Sequence, residues 1–204
     1  EIKPLEAEHD NIRFFDHRRE HARTDWDNGG RPREEWEALL AEARRRADAA
    51  GHFRYAFPKE FGGRDGTNLG MAVIREHLAS KGLGLHCDLQ NEHAIVANNI
   101  GLLLMLEYGT EAQKSEWVEP LATGDGFLAF GITEPDHGSD ATHMETVAIE
   151  DGDGWRITGE KTWNTGIHTA PADLIFARTS GGAGDGEGIT AFIVPTDAEG
   201  FRLE

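Results

Sequence analysis

Phe130-Gly-Ile-Thr-Glu-Pro-Asp-His-Gly-Ser-Asp140 joins a predicted strand to a loop with the composition of an anion-binding turn. An alternating apolar run ends at Thr133, and Pro135 has no N–H to donate to a sheet, so the strand stops before it. Gly138 and Ser139 allow close backbone approach and offer N–H groups and a hydroxyl to an anion. A phosphate-bearing ligand suits such a loop. The same residue types also make ordinary turns, and taken by themselves they favour a turn over a phosphate site.

A second segment, Lys161-Thr-Trp-Asn-Thr-Gly166, combines a flat aromatic side chain with a hydroxyl. Trp163 lies two residues before Thr165, and at strand spacing two such side chains face the same side of the backbone. The segment therefore predicts a stacking surface beside a hydrogen-bond donor. A single tryptophan is more often part of the core than a cofactor platform, so this segment alone leaves both interpretations open.

Together the two segments resemble the acyl-CoA dehydrogenase family of flavoenzymes. The family pattern is a Thr-Glu-Pro and a Gly-Ser-Asp separated by two variable residues, followed by Gly-x-Lys and Trp-x-Thr or Trp-x-Ser. The resemblance extends over most of the chain, and its motifs are specific between residues 108 and 166. Here the pattern is present as Thr133-Glu134-Pro135, Gly138-Ser139-Asp140, Gly159-Glu160-Lys161 and Trp163-Asn164-Thr165.

The first half of the sequence has the periodicity of helices. Apolar residues recur at helical spacing from Arg33 to Ala50 and from Leu69 to Lys81. The segment from His86 to Tyr108 is apolar on several faces, which is typical of a buried helix. Thr110-Glu-Ala-Gln113 is a capping box and predicts a further helix, which ends at Gly124.

Beyond residue 124 the apolar residues alternate over short segments, as in strands separated by turns. Their regular spacing predicts an antiparallel sheet or a small barrel. The glycine-rich loop from Ser180 to Gly188 lacks the spacing of a dinucleotide-binding loop and contains two acids, so it is predicted to be a flexible hairpin connection. The predicted strands are Thr146–Ile149, Trp155–Thr158, Leu174–Ala177 and Ile189–Val194.

These patterns and the resemblance predict an α+β multidomain fold. An amino-terminal all-α helical domain is expected over residues 1–125, and an antiparallel, β-barrel-like domain over residues 126–204. In the family a carboxy-terminal four-helix bundle follows the β domain. The resemblance implies that this bundle is absent from the chain and that the β domain is truncated at Glu204.

Charge and composition restrict the possible partners. The 204 residues carry a formal net charge of −17 at pH 7, which disfavours nucleic acid and anionic membranes as ligands. The longest apolar run, Ile100 to Leu106, is too short to span a bilayer. Cys87 is the only cysteine, so an intrachain disulfide is impossible and a cytoplasmic location is expected. His86 beside it lacks the further ligands of a metal site.

The resemblance implies that the two segments bind FAD. Thr133 would hydrogen-bond the pyrimidine edge of the isoalloxazine, and Ser139 would hold the pyrophosphate close to the substrate. Trp163 would pack against the flavin ring, and Thr165 would reach it near the nitrogen that accepts hydride. The cofactor-binding residues predicted in this way are Phe130, Ile132, Thr133, Gly138, Ser139, Trp163, Asn164 and Thr165, and Ser139 is also predicted to bind substrate.

Two residues of these segments depart from the family pattern. Asn164 replaces the usual aliphatic residue between the tryptophan and the hydroxyl, and His137 is bulkier than the small residue often found in the loop. The shape of the substrate side of the predicted site is therefore the part that the resemblance specifies least.

The reaction implied by the resemblance is α,β-dehydrogenation of an acyl-CoA thioester in fatty acid metabolism. A carboxylate removes the α-proton, hydride passes from the β-carbon to the flavin, and an electron-transfer flavoprotein accepts the electrons. The family's base is a glutamate of the carboxy-terminal domain, so it is expected beyond residue 204 and the catalytic residue is unknown. Glu134 is predicted to be structural, and little turnover is expected from this chain alone.

Two alternatives stay open. A relative could use the same flavin site for oxygen chemistry as an oxidase or monooxygenase, and oxygen consumption by the reduced flavin would separate it from a dehydrogenase. A non-catalytic assembly subunit is the other alternative, although it would not require intact flavin-contacting residue types. A homo-oligomer is expected because a truncated β domain would leave apolar strand edges exposed.

Overall fold

The computed structural model of the protein describes residues 2–8, 24–82, 84–86 and 98–204. The chain divides into two compact units, one ending at Gly126 and one beginning at Phe127. A short antiparallel pair precedes the second helix of the first unit, formed by β1 (Thr24–Asp25) and β2 (Arg31–Pro32). The helices of this unit are α1 (Ile2–Glu8), α2 (Glu34–Ala49), α3 (Asn68–Ala79), α4 (Asn98–Tyr108) and α5 (Glu111–Thr123).

Helix α2 has a clear helical period in the sequence and supplies much of the core of the first unit. Its buried side chains recur every three or four residues, so they form one stripe along the helix. Burial of a leucine side chain contributes about 1.5–3 kcal/mol relative to leaving it exposed. Gly51, just beyond the helix, has a φ of 72°, in the left-handed region that glycine commonly adopts at a helix end. The buried cluster consists of Leu5, Trp36, Leu39, Leu40, Ala43 and Leu85.

Helix α3 confirms the predicted segment but differs from α2 in burial. The hydroxyl of Thr67 accepts a hydrogen bond from the Gly70 N–H at 3.1 Å and so caps its first turn. Among the described residues none of its side chains is buried, and Leu69 and Val73 are exposed. No helix within the described ranges has the length and apolar character needed to cross a bilayer.

The predicted helix from His86 to Tyr108 is observed from Asn98 onward as α4. Its apolar character is reflected in Leu102 and Met105, which are buried. Residues 87–97, which include Cys87, lie outside the described residues.

The capping box at the start of α5 is confirmed. The Thr110 hydroxyl accepts a hydrogen bond from the Gln113 N–H at 3.3 Å, and the Gln113 side chain accepts one from the Thr110 N–H at 2.9 Å. Both are donors that the first turn of a helix cannot satisfy internally. The helix ends at Thr123, and Gly124 follows with a φ of 79°.

Replacing Thr110 by alanine is expected to lower the free energy of unfolding by about 1 kcal/mol, because a cap of the first turn is lost. Ser115→Ala is the matched control, since Ser115 is exposed in the interior of the same helix and alanine is the better helix former there. Urea denaturation of both variants measures the difference. Equal stabilities of the two variants would show that the cap contributes nothing.

The second unit is built on a five-stranded sheet. Its strands are β3 (Leu128–Gly131), β4 (Val147–Asp151), β5 (Gly154–Thr158), β6 (Ala172–Arg178) and β7 (Ile189–Pro195). Strand β6 is paired antiparallel with β7 along its length. At its other edge it is paired in parallel first with β3 and then, at Arg178, with β4. Strands β4 and β5 form an antiparallel hairpin that turns between Asp151 and Gly154.

The sheet is therefore mixed, whereas the sequence predicted antiparallel pairing. Each predicted strand overlaps an observed strand, and the two pairings closed by short connections, β4 with β5 and β6 with β7, are antiparallel. The parallel pairings join strands that are distant in the sequence. An alternating pattern identifies the two faces of a strand but not the strands next to it. The local sequence pattern therefore could not predict these parallel pairings.

The hairpin connection between β6 and β7 is confirmed, and its loop is hydrogen-bonded to other parts of the second unit. The buried guanidinium of Arg178 donates to the carbonyl oxygens of Ser180 and Glu187 within the loop, and to that of Thr142 outside it. The Gly184 N–H also donates to the Thr142 carbonyl at 3.0 Å. These bonds connect the loop to the chain around Thr142.

Candidate functional site

The two sequence segments singled out above lie side by side in the second unit. The Thr162 N–H donates to the Thr133 carbonyl oxygen at 2.9 Å. One residue away, the Lys161 ammonium donates to the Ile132 carbonyl at 3.2 Å. The end of strand β3 and the segment before Gly166 therefore form one continuous surface region, as a shared ligand site requires.

A buried ion pair fixes this junction. The Lys161 ammonium lies 2.8 Å from the Glu134 carboxylate, and Glu134 is only 5% exposed. The same carboxylate accepts hydrogen bonds from the N–H groups of Glu145 at 2.6 Å and Thr146 at 2.9 Å. Glu134 thus connects three separate parts of the chain.

The electrostatics of Glu134 suit this structural role. Burial opposes its ionisation, but the bonds from Lys161 and from the N–H groups of Glu145 and Thr146 outweigh burial and lower its pKa to about 2. Such a carboxylate stays charged at neutral pH and already has its donors in place. It is a poor candidate for a base that must take up a proton.

The loop after β3 exposes small polar groups. The backbone of Glu134 and His137 closes a tight turn, with the Glu134 N–H donating to the His137 carbonyl at 3.0 Å. Gly138 and Ser139 follow and are exposed, and a Cβ built on Gly138 would have no atom within 4 Å. Within the described ranges the hydroxyls of Thr133 and Ser139 have no hydrogen-bond partner. The loop therefore has free donors and room for a ligand.

Trp163 is highly exposed, but the strand geometry predicted around it is wrong. Residues 159–164 belong to no strand, and Trp163 has a φ of 62°, in the left-handed region. Its side chain is 85% exposed. Thr165 follows in a turn, and its hydroxyl lies 3.5 Å from the Trp163 carbonyl oxygen. The indole and the hydroxyl are therefore not related by the alternation of a strand, although both are exposed.

Asn164 faces inward between these two exposed residues. Its side-chain N–H donates to the Asp173 carboxyl at 2.6 Å, and Asp173 is 1% exposed in the central strand β6. Burial raises the pKa of Asp173 to about 6, and the Asn164 hydrogen bond and the Lys161 charge offset this effect only in part. Asp173 was missed by the sequence interpretation. The sequence feature that could have identified it is an acidic residue within the mainly apolar strand Ala172–Arg178.

Phe130 and Ile132 lie at the base of the region. Both are partly buried, and the Phe130 ring packs against Phe176 of strand β6 with ring centroids 5.1 Å apart. Phe130 therefore contributes to the sheet surface that supports the loop.

Two histidines flank the exposed loop. The rings of His137 and His143 stack with centroids 6.1 Å apart, and His143 Nδ1 lies 2.6 Å from the Asp140 carboxylate. The hydrogen bond from His143 lowers the pKa of Asp140. Among the described residues no group of three or more metal-ligating side chains is arranged to hold a metal ion. The histidines shape the rim of the loop.

Comparison with known proteins identifies the family. The model of the acyl-CoA dehydrogenase N-terminal domain matches residues 7–125, and that of the acyl-CoA dehydrogenase middle domain matches residues 129–204. The chain belongs to the acyl-CoA dehydrogenase family. The probable acyl-CoA dehydrogenase YngJ of Bacillus subtilis is 38% identical over 148 residues, which are 72% of this chain and 37% of that protein.

Solved structures of the family have the same fold. An acyl-CoA dehydrogenase complexed with FAD from Bacillus anthracis has a TM-score of 0.59 and 30% identity, covering 80% of this chain and 26% of that one. The ChsE4-ChsE5 complex from Mycobacterium tuberculosis has a TM-score of 0.65 and 27% identity, covering 80% of this chain and 41% of that one. The chain spans about a third of the length of the curated relatives that it matches.

Proposed function

We propose that the second unit holds FAD for an acyl-CoA dehydrogenase, with the cofactor seated on Phe130–Ser139 and Trp163–Thr165. The observation that carries the proposal is the junction of the two segments, in which Thr162 and Lys161 donate to the carbonyls of Thr133 and Ile132. A cofactor site that draws on both segments needs them to be adjacent. The FAD complex of the Bacillus anthracis relative supports the choice of cofactor.

The exposed groups of the region fit this cofactor chemically. An indole that is 85% exposed offers a face for a flat heterocycle. The Thr133 and Ser139 hydroxyls, unpaired within the described part of the chain, can donate to a carbonyl edge and to a phosphate. Open space at Gly138 allows a pyrophosphate to approach the backbone N–H groups. Asn164 can contribute its backbone, since its side chain is engaged by Asp173.

The reaction proposed for the whole protein is α,β-dehydrogenation of an acyl-CoA thioester. FAD, when bound, supplies the hydride acceptor. Thr133 would orient the ring through its pyrimidine edge, and Ser139 would contact both the cofactor and the substrate. Glu134 is already held by Lys161 and two N–H groups, so it is not proposed as the proton-abstracting carboxylate.

Further parts of the proposal concern organisation and partners. The limits proposed for the two domains are residues 1–125 and 126–204, and the family matches to 7–125 and 129–204 support them. An electron-transfer flavoprotein is the proposed electron acceptor, and a cytoplasmic location and self-assembly are proposed as well. The two-protein ChsE4-ChsE5 complex supports assembly as a property of relatives.

Removal of the proposed contacts is expected to weaken FAD binding. Thr133→Val and Trp163→Ala should each raise the FAD dissociation constant about tenfold, because each deletes one hydrogen bond or one stacking surface. Titration of the full chain with FAD, followed by flavin fluorescence, measures the effect. Matched controls are Thr158→Val on strand β5 and Trp26→Ala in the first unit, both at exposed positions. Equal affinities of all four variants and the parent protein would refute the proposed site.

A further inference from the structure

The backbone at Trp163 is held in a conformation that this residue type disfavours. Trp163 has a φ of 62°, and within the described residues Asp65 is the other non-glycine with a positive φ. A bulky side chain is disfavoured in the left-handed region because its Cβ approaches the following carbonyl. Such a conformation persists when the surrounding contacts determine it.

Two contacts hold the chain on either side of Trp163. On the amino-terminal side, the Thr162 N–H donates to the Thr133 carbonyl oxygen at 2.9 Å. On the carboxy-terminal side, the Asn164 side chain donates to the Asp173 carboxyl at 2.6 Å. The chain must turn between these contacts, and the turn directs the indole out of the protein, where it is 85% exposed.

Asp173 is a rigid anchor for this turn. It lies in β6, where its backbone is paired with Ala129 of β3 on one side and with Val194 of β7 on the other. A Cβ added to Gly131 would lie 2.8 Å from the Asp173 carboxyl and 2.9 Å from the Asn164 side-chain nitrogen. The absence of a side chain at residue 131 therefore leaves the space through which this hydrogen bond passes.

For the stability of the sheet alone, a carboxyl group at this buried strand position is less favourable than an apolar side chain. Burial of a carboxyl costs free energy that an apolar side chain of similar size would not cost. One of its partners is Asn164, the residue that departs from the family pattern between the tryptophan and the hydroxyl. The pair therefore connects the rigid sheet with the exposed segment.

We propose that Asp173 is a positioning residue for the cofactor: through Asn164 it holds the turn that presents Trp163 to the flavin ring. The inference rests on the proposed FAD site, and it concerns residues that do not themselves need to touch FAD. Loss of the hydrogen bond would let Trp163 relax to an ordinary backbone conformation. The stacking surface would then be lost although its side chain is still present.

Fluorine NMR of the full chain labelled with fluorotryptophan tests the proposal without FAD. The five tryptophans give separate signals, and Trp163→Phe identifies the signal of Trp163. Asn164→Ala and Asp173→Leu are expected to shift or broaden this signal and to leave the other four in place. Asp173→Asn keeps an acceptor oxygen for Asn164 and should preserve the parent signal. Thr158→Val, at an exposed position of strand β5, should also preserve it.

FAD titration of the same variants provides the second readout. Asn164→Ala and Asp173→Leu should raise the dissociation constant about tenfold, because one hydrogen bond to a carboxyl group is lost. An unchanged Trp163 signal in both variants would overturn the proposal, whatever their FAD affinity. A changed signal in a protein that binds no FAD would show that Asp173 holds the turn at Trp163 and would refute the proposed function. If Asp173→Leu fails to fold, Asn164→Ala decides, because Asn164 is only partly buried.

Discussion

Lys161→Met is expected to lower the free energy of unfolding by about 3–5 kcal/mol, because it leaves a buried carboxylate without its partner charge. Lys161 and Glu134 are 2.8 Å apart, and their side chains are 6% and 5% exposed. Methionine fills a similar volume but cannot neutralise Glu134 or donate to the Ile132 carbonyl. Urea denaturation followed by circular dichroism measures the loss.

The exposed pair of Lys59 and Asp65 is the matched control. These charges are 3.0 Å apart, but their side chains are 76% and 52% exposed. Lys59→Met is expected to cost less than about 1 kcal/mol, since water screens an exposed pair. Glu134→Gln combined with Lys161→Met should be more stable than Lys161→Met alone, because no charge is then left unpaired. Equal losses for the two lysine variants would contradict the role assigned to Lys161.

Asp173→Asn is expected to change the pH dependence of stability. Burial raises the pKa of Asp173 from its ordinary value of 3.8 to about 6, so near pH 5 the folded protein holds a proton that the unfolded chain has lost. This contribution to stability is complete below about pH 4 and is lost as the pH rises through about 6. A shift of about 2 pKa units corresponds to about 3 kcal/mol.

The measured quantity is the difference in unfolding free energy between Asp173→Asn and the parent protein. Between pH 4 and pH 7 this difference should move by about 3 kcal/mol in favour of the variant, because asparagine has no charge to bury. Other titrating groups, including Glu134, are common to both proteins and cancel. A flat difference for Asp173 would show that its carboxyl titrates normally.

Local signals in the sequence were sufficient for helices α2, α3 and α5. The capping box at Thr110 and Gln113 and the period of α2 depend on residues close together in the chain, where propensity and patterning act directly. The strand positions of the second unit were likewise predicted, whereas the short pair β1–β2 lies in the domain predicted to be all-α. The pairing of β6 with β3 and β4 was not predicted, because it joins segments far apart in sequence.

For the candidate site, the sequence identified the two segments that form it, but it did not predict their geometry. The motif residues identified both segments, and the junction through Thr133 and Thr162 brings them together. The left-handed backbone of Trp163 and the bond between Asn164 and Asp173 could not be predicted. Both depend on a tertiary contact between a loop and a central strand, which neither local pattern encodes.

Amide hydrogen exchange with and without FAD tests the central claim most directly, because it locates the cofactor on the chain. Peptides covering residues 130–139 and 161–166 should exchange more slowly when FAD is present, and peptides of the hairpin β4–β5 should not change. Slower exchange in both segments at the same FAD concentration would agree with a single site made by their junction. Protection confined to other parts of the chain, or protection of one segment alone, would contradict it.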